Sequence, residues 1–195
     1  NTYYCANGIP ELNVPLDKVK NEKVHLLFLS NLIESKGVYV LMEALKILQG
    51  KGVDFICDFV GGIGDISEDE FNNKVTILEL QGKVFYLGKK YNEDKIDIFS
   101  KSDIFILPTF YDNECFPLVL LEAMQFNLPL LSTYEGGIRE IIEEGVNGFI
   151  VEQRNIVSLS MKLEELIMNK ALRTKMGKAG KVKFSNEYTL DKFEN

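Results

Sequence analysis

Short, nearly uninterrupted apolar runs recur along the chain at Val24–Ser30, Phe55–Val60, Val84–Leu87, Ile104–Leu107, Leu128–Ser132 and Phe149–Val151. A strand with one wet face alternates apolar and polar residues, so runs filled at almost every position predict strands buried on both faces. Between them lie segments with helical spacing, clearest in Val38, Leu41, Ala44, Leu45 and Leu48, which share one stripe. About six repeats of strand then helix predict an α/β fold: a single Rossmann-like, doubly wound parallel sheet of about six strands flanked by helices.

Helix ends are legible in the same pattern. Ser67 with Glu70 is a capping box and predicts a helix closing near Gly82. Asn92, followed by Glu93 and Asp94, predicts the N-cap of a helix through Ser100. Pro117 suits the first position of a helix to Phe126, and Asn127 before Pro129 suits a left-handed stop. Gly136-Gly137 predicts entry into a short helix ending near Glu144, after which Gly145 and Gly148 turn the chain into the last strand. No linker, repeat or low-complexity tract divides residues 1–195, which read as one domain. Without an initiator Met or a leader, that domain reads as an excised piece.

Charge and cysteine content narrow the classes. The 195 residues carry 22 Lys and Arg against 29 Asp and Glu, a net charge of −7, which argues against nucleic-acid binding through a broad basic surface. No apolar run approaches the ~18 residues of a membrane span. Cys5, Cys57 and Cys115 lack C-x-x-C spacing, and His25 is the only histidine, so neither a disulfide framework nor a zinc site is expected. A reducing, cytoplasmic setting fits better. The charge is uneven, however: Lys170, Arg173, Lys175, Lys178, Lys181 and Lys183 follow one another with no acid between them. This reads first as a solvated helix face whose lysine stems cover Met176 and Val182, and second as a patch for a phosphate-bearing surface or lipid.

Ligands of open parallel sheets bind beyond the carboxyl ends of the strands, so the loops after the strands hold the candidate chemistry. They contain Asn31 and Lys36 after the first strand, Gly61-Gly62-Ile63-Gly64 after the second, and Pro108 to Pro117 after the fourth. In that last loop Glu114 precedes a helix carrying Glu122, giving E-x7-E. Free N–H groups around Phe116 to Val119 would form an anion site at the start of the helix, with the two carboxylates as acceptors for sugar hydroxyls. Spacing alone leaves an exposed helix acid as an equal reading of Glu122.

Taken in order, these fragments resemble the C-terminal, donor-binding domain of family 4 (group 1) glycosyltransferases, which have the two-domain GT-B fold. The resemblance runs from Asn7-Gly8-Ile9-Pro10 to Phe184-Ser185. It is carried by Leu32 to Gly37, Val60 to Gly64, Val84 to Gly88, Asp103 to Pro108, Glu114 to Met124, and Gly136 to Ile142 with Gly145 to Gly148. It implies a retaining, metal-independent hexosyltransferase of cell-surface polysaccharide or glycan biosynthesis, using a UDP- or GDP-linked sugar and no cofactor. Lys36 and Glu114 are implied as catalytic. Donor binding falls to Asn31, Lys36, Lys90, Phe116, Leu118, Val119, Glu122, Gly136 and Gly137, with the base against the loop near Lys90 and Tyr91. Asn31 stands where many members have arginine; as a neutral residue it leaves the diphosphate either to Lys36 and the helix end or to a cation from elsewhere, and its structural reading is a cap on the turn. The acceptor domain is expected to be absent from this chain, which would then bind nucleotide without transfer. Peripheral association of the full-length enzyme with the inner face of a membrane is left open.

Competing readings are weaker. The glycines after Val60 are not G-x-G-x-x-G and no acid stands near Val84, which disfavours a nicotinamide dinucleotide. Cys115 and His25 read as an inert thiol and a structural histidine. Arg139 and Glu140 either line the site or pair on their short helix. A non-catalytic partner-binding module, or half of a nucleotide-sugar epimerase, stands as the alternative function.

Overall fold

The structure, a computed structural model, describes residues 8–12, 14 and 21–193; Cys5 and Asn7 lie outside them. Six strands form one parallel sheet: β1 (Val24–Leu29), β2 (Phe55–Val60), β3 (Val84–Tyr86), β4 (Ile104–Leu107), β5 (Leu130–Thr133) and β6 (Gly148–Val151). Their order is β3-β2-β1-β4-β5-β6. The helices are α1 (Val38–Gly50), α2 (Glu68–Ile77), α3 (Asn92–Lys101), α4 (Leu118–Gln125), α5 (Ile138–Ile141), α6 (Ile156–Met168), α7 (Lys170–Glu187) and α8 (Leu190–Phe193). The predicted α1 stripe is buried, and α1 packs on α6 while α4 packs on α7. Phe28, Phe59 and Phe71 form a ring cluster with centroids 5.0 and 5.1 Å apart, pinning α2 to β1 and β2. The order reverses between β1 and β4, so the loops after these two strands diverge and leave a crevice.

Several predicted boundaries shift. The Ser67–Glu70 capping box is present, but α2 stops at Ile77, because Glu79 takes φ 57° while Lys46 Nζ and Gln49 Nε2 donate to its carboxylate and carbonyl. Tyr91, not Asn92, is the N-cap of α3; Asn92 begins the helix at φ 48°. Pro117 is the N-cap of α4 rather than its first residue, and α5 ends at Ile141, short of Glu144. Asn127 does stop its helix in the left-handed region, at φ 55°. Gln125, fully buried, donates to the Pro10 carbonyl at 3.1 Å and accepts from the Leu12 N–H at 2.7 Å, tying the N-terminal segment to α4.

Candidate functional site

The crevice between the β1 and β4 loops is closed at its base by a glycine. Gly37 adopts φ 88°, and a Cβ there would lie 2.2 Å from the Pro108 carbonyl oxygen, so only glycine permits the two loops to meet. The Phe110 N–H donates to the Ser35 carbonyl at 2.7 Å just above. This contact brings Lys36 to the β4 loop, where Nζ lies 2.7 Å from Glu114 Oε2 and 4.3 Å from the centre of the Tyr111 ring. The two side chains are 14% and 10% exposed, so the pair is largely withdrawn from water.

Glu114 is held from the other side by the loop after β5. The Gly137 N–H donates to the Cys115 carbonyl at 2.6 Å, and a Cβ on Gly136 would lie 1.6 Å from the Glu114 carbonyl oxygen. The two glycines therefore seat the Glu114 loop by close backbone approach. Immediately beyond, α4 begins without a capping side chain. Among the described residues the N–H groups of Phe116, Leu118 and Val119 meet no acceptor, whereas that of Leu120 donates to the Pro117 carbonyl at 3.0 Å. Free N–H groups and the aligned helix dipole concentrate positive potential beside the Lys36–Glu114 pair.

Glu122 projects from α4 toward α3, where Lys95 Nζ lies 2.7 Å from its carboxylate. Lys95 in turn lines a cleft of about 440 Å³ with Asn31, Gly62, Lys89, Lys90 and Tyr91. Asn31 caps neither turn nor helix; its Oδ1 accepts from the Gly62 N–H at 3.0 Å, joining the β1 and β2 loops. Gly61 makes this junction possible, since at φ 148° a Cβ would sit 2.0 Å from the Ser30 carbonyl oxygen. No carboxylate lies within 4 Å of Lys89 or Lys90 among the described residues, so both leave positive charge at the cleft mouth.

The sequence-derived candidates thus fall into two adjoining groups. Asn31 and Lys90 line the cleft; Lys36, Glu114, Phe116, Leu118 and Val119 gather at the start of α4, with Gly136 and Gly137 behind them; Glu122 joins the groups through Lys95. Lys95, Lys89 and Tyr111 were not foreseen. Arg139 does not pair with Glu140 but stacks over Tyr134 at 4.2 Å. Cys115 is exposed, and the His25 backbone exchanges hydrogen bonds with Asp103, its N–H donating to Oδ2 at 3.0 Å.

The sequence profile of the family described as Glycosyl transferases group 1 matches residues 13–183. The Staphylococcus aureus capsular polysaccharide biosynthesis glycosyltransferase CapM is 25% identical over 193 residues, covering 94% of this chain and 50% of CapM. The chain thus spans about half the length of this curated relative. Anabaena HepE, solved in complex with UDP, superposes with a TM-score of 0.79 at 22% identity, covering 88% of this chain and 46% of HepE. The C-terminal domain of the group 1 glycosyltransferase LpcC from Francisella tularensis superposes with a TM-score of 0.80 at 22% identity, covering 94% of this chain and all (100%) of that one. A match spanning most of the sequence, on a sheet with the same architecture as these GT-B enzymes, makes this chain a member of the group 1 glycosyltransferases.

Proposed function

We propose that this chain is the donor-binding half of a retaining, metal-independent glycosyltransferase that moves a sugar from a nucleoside-diphosphate sugar to an acceptor held by a second domain. The observation that carries this reading is the Lys36–Glu114 pair beside the uncapped start of α4. A diphosphate seated there takes hydrogen bonds from N–H groups that meet no acceptor among the described residues, and Lys36 is close enough to balance the charge that builds on it as the sugar departs. Glu114, exchanging its lysine contact for sugar hydroxyls, orients the transferred sugar. Glu122 accepts from the ribose hydroxyls, while Lys95 keeps its carboxylate aimed. The base lies in the cleft near Lys90 and Tyr91. That HepE was solved with UDP, and that CapM acts in capsular polysaccharide biosynthesis, support a nucleotide sugar as donor and a polysaccharide as product. A cytoplasmic site of action, where nucleotide sugars and reduced thiols coexist, completes the proposal.

The chain alone is then expected to bind nucleotide without transferring sugar. Calorimetric titration with UDP, GDP and ADP tests this: one of them binds in the micromolar to millimolar range, and Lys36→Ala weakens it tenfold or more. No binding of any at millimolar concentration, or affinity indifferent to Lys36→Ala, refutes the reading. Glu122→Ala should weaken the bare nucleotide, and Glu114→Ala mainly the sugar-bearing donor.

A further inference from the structure

Helix α7 bears an unusual surface. Nearly every described lysine before it, from Lys23 and Lys36 to Lys101 and Lys162, lies within 4 Å of a carboxylate; only Lys89 and Lys90, in the cleft, do not. On α7 the balance inverts. Lys183 meets Glu187 at 3.4 Å, but Lys170, Lys175, Lys178 and Lys181 have no carboxylate within that distance among the described residues. Arg173 faces inward and caps α6, donating to the Leu166 and Ile167 carbonyls at 2.7 Å each. The inner side of the helix is fixed by burial of Met176 and Phe184 and by Gly177, where a Cβ would lie 1.8 Å from the Asn127 carbonyl oxygen. With that side anchored, helical spacing turns Lys175, Lys178 and Val182 outward together, with Lys170 and Lys181 both on one side of that stripe.

The solvated-face reading requires lysine stems to cover the apolar neighbours. Met176 is covered by the core, but Val182 is 61% exposed, and Met168, just before the helix, is 73% exposed. An exposed helix with apolar side chains among uncompensated lysines is the composition of a surface that rests on an anionic bilayer: headgroup phosphates take the charges and the interfacial region takes Val182 and Met168. A partner protein would be expected to present a shaped apolar counterpart, and a nucleic acid would have to approach a chain whose first 169 residues carry 26 acids against 15 bases. A bilayer needs only an exposed basic face; here it is shallowly indented, with Lys178 and Val182 bordering a cleft of about 410 Å³ that also holds Glu143 and Glu187. Asn127, after α4, meets the middle of α7 at Gly177, and Tyr188, just past its end, lies with its ring 6.1 Å from that of Phe116, so the inner side of α7 packs beneath the candidate site and the outer face turns away from it.

We propose that the outer face of α7, centred on Lys175, Lys178 and Val182, docks this chain on an anionic lipid bilayer. The proposal stands on charge and exposure and is independent of the donor reading. Vesicle co-sedimentation of the 195-residue chain tests it, with phosphatidylcholine alone against phosphatidylcholine containing phosphatidylglycerol. Binding is expected only to the anionic vesicles and is lost in about 0.5 M salt, where the Debye length falls below about 5 Å. Each lysine near such a surface contributes about fivefold, so Lys175→Gln/Lys178→Gln should weaken binding on the order of 25-fold. Gln matches Lys in helix propensity, so the fold is retained, and an unchanged circular dichroism melt verifies it. Val182→Ser weakens binding less, and Lys46→Gln/Lys101→Gln, away from α7, leaves it within about twofold. The proposal fails if anionic vesicles do not bind at low salt, if neutral vesicles bind equally, or if the α7 and control variants bind alike. It also fails if the α7 lysines instead retain RNA or an acidic protein while vesicles are ignored.

Discussion

The Lys36–Glu114 pair bears on both stability and ligand binding, and only one of its two halves should be needed for the second. Lys36→Met removes the one side-chain donor that Glu114 has among the described residues, leaving a carboxylate 10% exposed with no partner. Breaking a fully buried pair costs about 3–5 kcal/mol; the residual contact with water here lowers that to about 2 kcal/mol. Glu114→Gln is milder. Lys36 keeps an amide oxygen within reach and the Tyr111 face at 4.3 Å, so the loss is about 1 kcal/mol. The double variant removes both charges and should cost about 1–1.5 kcal/mol, which gives a coupling of 1.5–2 kcal/mol. Urea unfolding followed by circular dichroism, with m-values compared, measures all four corners of the cycle. Titration of whichever nucleoside diphosphate binds supplies the second readout. Lys36→Met loses affinity tenfold or more, whereas Glu114→Gln, which frees Lys36 from competition, holds or raises it. Stabilities additive to within about 0.5 kcal/mol, or equal loss of nucleotide affinity in both single variants, would refute the reasoning.

Gly136→Ala should leave the sheet intact but displace the Glu114 loop, because a methyl 1.6 Å from a carbonyl oxygen at φ 46° has no room; nucleotide affinity falls at least tenfold while the far-ultraviolet spectrum is unchanged. Gln125→Leu orphans the Leu12 N–H and the Pro10 carbonyl, lowering stability by about 2 kcal/mol in a thermal melt. Burial raises the Asp58 carboxyl above its ordinary range, an effect that nearby His25 opposes. A raised acid binds its proton more tightly folded than unfolded, so the penalty is present above the folded pKa and fades as pH falls through it. Asp58→Asn should therefore stabilise the chain at pH 7, and the gain should vanish in melts near pH 3.

The strands were legible because burial on both faces leaves no polar position to blur the pattern, as in Leu26, Leu27 and Phe28. Two of the misplaced helix ends share a feature. Glu79 and Asn92 carry left-handed backbone without being glycine, and what holds Glu79 there, Lys46 and Gln49 of α1, lies 30 or more residues away in sequence. The same limit hid Lys95. Its partner Glu122 stands 27 positions on, on another helix, and nothing in the E-x7-E spacing points to α3. Gly136 and Gly137 were visible as a flexible entry to a helix, but their tight seat against Glu114 depends on β5 lying next to β4, a fact of topology rather than of local pattern.

Net charge misleads here for a physical reason. A total of −7 describes the field far from the protein, whereas a ligand within a few ångströms meets individual groups, because at 0.1 M salt charges more than about 10 Å apart hardly act on one another. Most described lysines are already matched by a carboxylate within 4 Å and contribute little to any outside anion. Apart from Lys192 on α8, the exceptions cluster in two places, Lys89 and Lys90 at the cleft and the lysines of α7 other than Lys183. An acidic chain therefore still presents two groups of lysines without a carboxylate partner, Lys89 and Lys90 bordering a cleft of about 440 Å³ and Lys170, Lys175, Lys178 and Lys181 on α7, although acids stand nearby in both places, Asp94 and Asp97 beside Lys90 and Glu143 and Glu187 beside Lys178. What an approaching anion meets is this local arrangement and not the sum over the chain.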